Sequence, residues 1–124
     1  MDTFTLVRPE HLNHHGYLFG GCMLRWVDEF AWLAASREFR GCSFVTVALD
    51  KVVFEQRVLN GSILRFSIVL ARRGTTSVAY AVKVFADAPG ATREKEVFRT
   101  KVTLVNLNAA GKPQALPPAP RPRR

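Results

Sequence analysis

The sequence predicts an α+β domain in which one antiparallel sheet packs on a single long helix. Three observations lead there: one stretch alone carries helical periodicity, the segments after it alternate with a period of two, and short Gly- or Asn-containing turns join those segments. A chain of 124 residues supports one domain. Its 48% apolar and 23% charged residues form an ordinary globular balance, enough for a core without disulfides or metal.

Residues 3–8 alternate as a short strand that Pro9 closes. Residues 10–21 carry turn and loop chemistry and end in Gly20-Gly21. From about Cys22 to Phe39 the period changes. Met23, Val27, Phe30, Ala31 and Ala34 fall at i, i+4, i+7, i+8 and i+11, the stripe of a helix with one buried face. Leu24, Trp26, Leu33 and Ala35 widen that stripe, as expected of a central helix wrapped by a sheet, and Gly41 supplies a C-terminal stop. Residues 43–55 are rich in β-branched and aromatic residues, and Asn60-Gly61 marks the turn that follows. Residues 63–72 place Leu64, Phe66, Ile68 and Leu70 on one face, and residues 76–87 do the same with Val78, Tyr80, Val82 and Val84. Arg73-Gly74 turns between them, and a loop near 88–94 leads to a last strand at 95–107. The domain thus covers residues 1–112. Residues 113–124 hold five of the seven prolines and three arginines, and read as an extended, disordered tail.

Eighteen basic residues against ten acidic ones give a net charge of +8, of which the tail carries +3. An anionic partner is one reading of this excess and solubility another. A nucleic-acid partner is not expected, because no recognised module is present and the arginines are not interleaved with aromatics. No apolar run reaches the ~18 residues of a membrane span, and the N-terminus lacks a signal layout. Cys22 and Cys42 read as two reduced thiols, and a cytoplasmic location is expected. His11, His14 and His15 lie in a loop with no Cys or acid to complete a metal set, so no metal is expected.

Asp28 interrupts the apolar stripe in the middle of the helix. It reads either as a solvated acid beside Glu29 or as a carboxylate aimed into a cleft, serving as general base or nucleophile. The segment before the helix, Asn13 to Gly21, has glycines at 16, 20 and 21 that let backbone approach a ligand. Free N–H groups at a helix start favour negative charge, including a developing oxyanion. A flexible loop leading into a helix is the plainer reading of the same residues.

The run Asn13-x-x-Gly16-x-Leu18-Phe19-Gly20-Gly21, followed by Val27-Asp28-Glu29, resembles the hotdog-fold acyl-CoA thioesterases of the YciA and cytosolic acyl-CoA hydrolase type. Val45-Thr46-Val47, Phe54 with Val58 and Gly61, and Arg73-Gly74-Thr75-Thr76-Ser77 continue the resemblance in order, over roughly residues 4–112. It implies a five-stranded antiparallel sheet wrapped around the helix, and hydrolysis of acyl-CoA to a free acid and CoA. It implies Asp28 as the catalytic acid, Asn13 beside the thioester, and the Gly20 and Gly21 amides on the thioester oxygen. It also implies Arg73, Gly74, Thr75, Thr76 and Ser77 near the CoA phosphates. No separate cofactor is implied, since CoA belongs to substrate and product. Arg57 stands where the family carries proline and adds charge near the cleft mouth; Ser62 stands where it carries an acid.

Spacing adds a constraint. Asp28 lies seven residues beyond Gly21, about 10 Å along a helix, so one chain would struggle to bring both to one thioester carbon. A two-fold homodimer with shared sites solves this, and the resemblance implies such dimers, assembled as a trimer of dimers. Another hotdog enzyme or a non-catalytic acyl-CoA binder is the alternative, since fold alone does not set function.

Overall fold

Alternation gives each strand one face to bury, and the single helix supplies the surface that receives it. The computed structural model describes residues 1–118. Its elements are β1 (Asp2–Leu6), α1 (Gly20–Glu38), β2 (Phe44–Phe54), β3 (Ile63–Arg73), β4 (Ser77–Asp87) and β5 (Lys95–Asn106), with a 3-10 turn at Pro9–His11. All strand pairs are antiparallel, and the sheet order is β1-β3-β4-β5-β2. The order of elements is the one the periodicities predict.

The sheet curls around α1, which touches β2, β3, β4 and β5. Met23, Val27, Ala31, Ala34 and Ala35 form the buried stripe of the helix. Leu64, Phe66 and Ile68 of β3 meet it, as do Val78, Tyr80, Val82 and Val84 of β4. Small residues at 31, 34 and 35 let the helix approach the sheet closely. Trp26 and Phe30 lie edge-on to Phe66, at ring separations of 6.3 and 4.9 Å.

Strand ends shift by a residue or two from expectation, and two further differences bear on the site and the tail. The helix begins at Gly20 rather than Cys22, with Phe19 as its N-cap. Gly is a poor helix former, yet at 21 a larger residue would crowd its neighbour: a Cβ there would lie 2.7 Å from the Phe19 ring. The second difference concerns residues 113–118, read from sequence as tail. They dock on the sheet. Gln114 N–H donates to Asn106 O, Leu116 N–H donates to Thr75 O at 2.9 Å, and Leu116 is buried. The buried Asn106 side chain accepts from Ser43 N–H at 2.9 Å and donates toward the carbonyls of Gln114 and Ala115. Proline forbids a helix here but permits an extended chain held through its other amides and carbonyls. Residues 119–124, with the three tail arginines, lie outside the described residues.

β2 is an edge strand with register shifts at Thr46/Ala48 and Asp50/Val53, and Lys51 has φ 55°. Val45, Val47, Val52 and Phe54 are nevertheless exposed on it. Among the described residues no helix is long and apolar enough to cross a membrane.

Candidate active site

The loop before α1 is closed by its own backbone. Asn13 N–H donates to Tyr17 O at 2.7 Å, and Asn13 Oδ1 accepts from the amides of His15 (2.9 Å) and Tyr17 (3.1 Å). This is an Asx turn, and it leaves Asn13 Nδ2 as the end able to donate to a ligand. Gly16 takes φ 84° inside the turn, where a side chain would be strained. Leu18 N–H then donates to Val58 O and Phe19 N–H to His11 O, each at 2.9 Å. These bonds fix where the helix starts.

At that start, the first α-helical bond recorded runs from Met23 N–H to Phe19 O, and Cys22 N–H makes a tighter one to the same carbonyl. The Gly20 and Gly21 amides come before these and donate to no backbone carbonyl among the described residues. They are the unpaired donors every helix start presents. An open cavity of about 1320 Å³ lies beside them, bounded by Asn13, Tyr17 and Gly20 on one side and Phe54, Arg57 and Leu59 on the other. Arg57 Nη1 donates to Tyr17 Oη at 3.1 Å and its guanidinium stacks 5.0 Å over the Tyr17 ring. The lining of the cleft thus carries both Arg57 and Glu55, and it is partly apolar, with Leu18, Met23 and Val97.

Asp28 is half-buried two turns further along α1, and it is not among the residues bounding that cleft. Thr46 Oγ1 on β2 donates to its Oδ1 at 2.5 Å. A short hydrogen bond of this kind orients a carboxylate. Sequence reading overlooked Thr46 as a functional residue, because its neighbour in space is eighteen positions away and Val-Thr-Val is ordinary strand composition. Tyr17, the stacking partner of Arg57, was overlooked for the same reason.

The structure thus brings Asn13, Gly20 and Arg57 together and leaves Asp28 apart from them. It also separates Arg73 through Ser77. Ten steps of β3 part Ile63, near the cleft, from Arg73, a span of about 33 Å. Arg73 donates to Pro117 O and stacks 5.1 Å from the Phe39 ring centroid. His11 accepts from Arg8 N–H and packs edge-on to Trp26, while exposed His14 and His15 stack on one another. Cys22 and Cys42 are free thiols, and burial pushes both up from the usual value.

A family model described as the thioesterase superfamily matches residues 15–92, the span from this loop through α1 and the sheet to the β4–β5 connection. The chain belongs to the thioesterase superfamily.

Relatives within that superfamily agree in kind. Acyl-coenzyme A thioesterase 11 of Mus musculus is 29% identical over 100 residues, 81% of this chain and 17% of that protein. The uncharacterized acyl-CoA thioester hydrolase YkhA of Bacillus subtilis is 31% identical over 112 residues, 90% of this chain and 64% of the relative. The chain thus spans about a sixth of the mouse thioesterase's length. Among solved structures, an acyl-CoA hydrolase of Staphylococcus aureus, in complex with butyryl coenzyme A and coenzyme A, superposes with a TM-score of 0.85 at 28% identity. That match covers 94% of this chain and 71% of the other. Further structures of the S. aureus hydrolase carry alanine in place of an asparagine, an aspartate or a threonine. A hexameric thioesterase of Yersinia pestis superposes with a TM-score of 0.85 at 25% identity, covering 94% of this chain and 93% of that one. The sheet wrapped on one helix is the hotdog fold of this superfamily.

Proposed function

We propose that this thioesterase-superfamily chain hydrolyses acyl-CoA to a carboxylic acid and CoA, in sites shared between two copies. The observation that carries this reading is the oriented carboxylate. Asp28 is held by Thr46 on the edge strand, while Gly20 and Asn13 line a separate cleft and the Gly20 and Gly21 amides donate to no backbone carbonyl among the described residues. Pairing β2 with the same strand of a second copy, antiparallel about a two-fold near residue 50, lays Thr46 alongside the partner subunit's Phe54. Asp28 then faces the partner's Gly20, across a covered edge. The four exposed apolar side chains of β2 favour such burial.

In the shared site the Gly20 and Gly21 amides receive the thioester oxygen as charge develops on it, and Asn13 Nδ2 positions the thioester. Asp28 either removes a proton from water, whose oxygen attacks the carbonyl, or attacks the carbonyl itself to give an anhydride that water then opens; in each route the C–S bond breaks and CoA leaves as the thiolate, which takes up a proton. Both routes end in acid and thiol. The residue types altered in the S. aureus hydrolase support the same set. Its asparagine and aspartate lie 15 residues apart, as Asn13 and Asp28 do, and its threonine lies 17 beyond the aspartate where Thr46 lies 18 beyond Asp28. CoA phosphates would meet Arg57 at the cleft mouth, and the Arg73–Ser77 turn from a neighbouring copy. Assembly as a trimer of dimers and action in the cytoplasm complete the reading.

Thiol release from a panel of acyl-CoAs tests it, with Asp28→Ala as control. The reading expects release by the parent and its loss in the control; equal rates in both overturn the assignment. An aspartate substitution at Val47, which puts a charge on the pairing edge, is expected to yield monomers that have lost activity. Single turnover in heavy-oxygen water separates the routes, since label enters the Asp28 carboxylate only by nucleophilic attack.

A further inference from the structure

A second cavity, of about 180 Å³, shares the wall formed by Gln56, Arg57, Val58, Leu59 and Val97 with the large cleft. Its other side is the β4–β5 connection, where Arg93 and Lys95 stand. The two sides are locked together. Gly61 takes φ 85°, and a Cβ there would lie 3.2 Å from Pro89 Cγ, so the turn before β3 sits directly on the loop after β4.

The chemistry of this cavity is one-sided. Arg57, Arg93 and Lys95 supply three cations, and no carboxylate lines it. Among the described residues none of the three makes an ion pair. Of the two acids that flank Lys95 in sequence, Glu96 is not in the lining, and Glu94 is taken by Arg65 through bonds of 2.9 and 3.0 Å, a guanidinium that holds its carboxyl below the usual value. Ser62 also lines the cavity. It is fully buried, and its Oγ has no hydrogen-bond partner among the described residues. Buried hydroxyls are nearly always paired in folded proteins, so an unpaired one on the wall of a cationic cavity marks a place for a ligand oxygen.

We propose that this cavity is a phosphate subsite that takes a phosphate group of CoA while the thioester lies in the adjoining cleft. The inference rests on the acyl-CoA reading above and adds to it a second anchoring point, made by Arg93, Lys95 and Ser62 of the same chain. A phosphate carries several acceptor oxygens, matching the guanidinium, ammonium and hydroxyl donors here. Arg57, stacked on Tyr17 between the two cavities, belongs to both.

The test compares the parent with Arg93→Ala/Lys95→Ala, both exposed positions, and with a charge-matched control, Lys83→Ala/Lys101→Ala, elsewhere on the sheet. Titration calorimetry with CoA and with inorganic pyrophosphate reads binding, and thiol release from acyl-CoA and from an acyl-pantetheine reads turnover. The Arg93/Lys95 variant is expected to weaken CoA binding about tenfold, raise KM for acyl-CoA to match, and leave acyl-pantetheine turnover unchanged. Ser62→Ala is expected to act in the same direction by about threefold. Equal CoA affinity in parent and variant overturns the proposal, as does an equal loss in the charge-matched control. Loss of pyrophosphate binding with CoA binding intact assigns the cavity to free anions and overturns it too. A parent that releases no thiol from acyl-CoA yet loses CoA affinity on substitution at 93 and 95 refutes the hydrolytic reading and leaves the subsite standing.

Discussion

The two ends of α1 are built for different ends. At its N-terminus the Gly20 and Gly21 amides have no partner among the described residues, Phe19 is exposed, and an open cleft of about 1320 Å³ adjoins. At its C-terminus several polar groups are paired, although the buried Ser36 hydroxyl has no partner among the described residues. Tyr80 Oη donates to Glu38 at 2.5 Å, Phe39 N–H to Ala35 O, and Asn106 ties the start of β2 to the docked segment ending near Leu116. The Phe39 ring is covered by Arg73 and meets Phe44 edge-on at 6.1 Å. The contrast teaches that this fold ties one end of its helix to the sheet and the docked segment, and leaves backbone donors free beside the cleft at the other. Asp28 sits between, oriented by β2 rather than by either end.

Substitutions can break that contrast, and Asp28→Asn is expected to have the largest effect. It keeps the shape and the Thr46 contact but removes the charge that the proposed base or nucleophile needs. Thiol release should fall by about 1,000-fold or more, roughly 4 kcal/mol of barrier, with the melting temperature unchanged. A residual rate near that of the parent would return Asp28 to the class of solvated helix acids. Next comes the closed end. Asn106→Ala leaves the Ser43 amide without its acceptor and frees the docked segment, so denaturant unfolding should show a loss of about 2–3 kcal/mol. Turnover per folded molecule should hold, and a matching drop in kcat would merge the two ends into one functional unit.

Gly21→Ala sharpens the picture at the open end. Its Cβ displaces the exposed Phe19 ring across the helix start, and kcat should fall about tenfold while stability holds, because alanine favours helix over glycine. Tyr80→Phe is the mildest, with a loss of about 1 kcal/mol at neutral pH and a distinctive pH signature. Burial, then the Glu38 contact, pushes the Tyr80 hydroxyl well above the ordinary tyrosine value. A raised folded-state value contributes stability that is fully present below the unfolded value of about 10 and fades as pH climbs past it. The parent should therefore lose stability more steeply than the phenylalanine variant above pH 10. Parallel curves would sink the assignment.

Much of the fold is legible in the sequence because its signals are local. The i, i+4, i+7 recurrence from Met23 to Ala34 needs only the geometry of a helix, and Leu64, Phe66 and Ile68 need only the pleat. The positions of Asn13, Gly20, Gly21 and Asp28 stand out for the same reason: a carboxylate in an apolar stripe and a glycine pair at a helix start are anomalies within a few residues. The tail shows the limit. Proline content argues correctly against helix but says nothing about Leu116, whose burial depends on Thr75 and Asn106.

By itself, then, the sequence determined the order of elements, the faces they bury and the residues with chemical means. Only the tertiary structure decided which of those residues meet. It set Thr46 against Asp28, kept Asp28 out of the cleft that holds Asn13 and Gly20, turned Arg73 to Pro117, and enclosed Ser62 beside Arg93 and Lys95. Each of these pairings joins positions far apart along the chain. Their proximity follows from strand order and register, which the balance of core packing across the whole sheet selects and no single segment encodes.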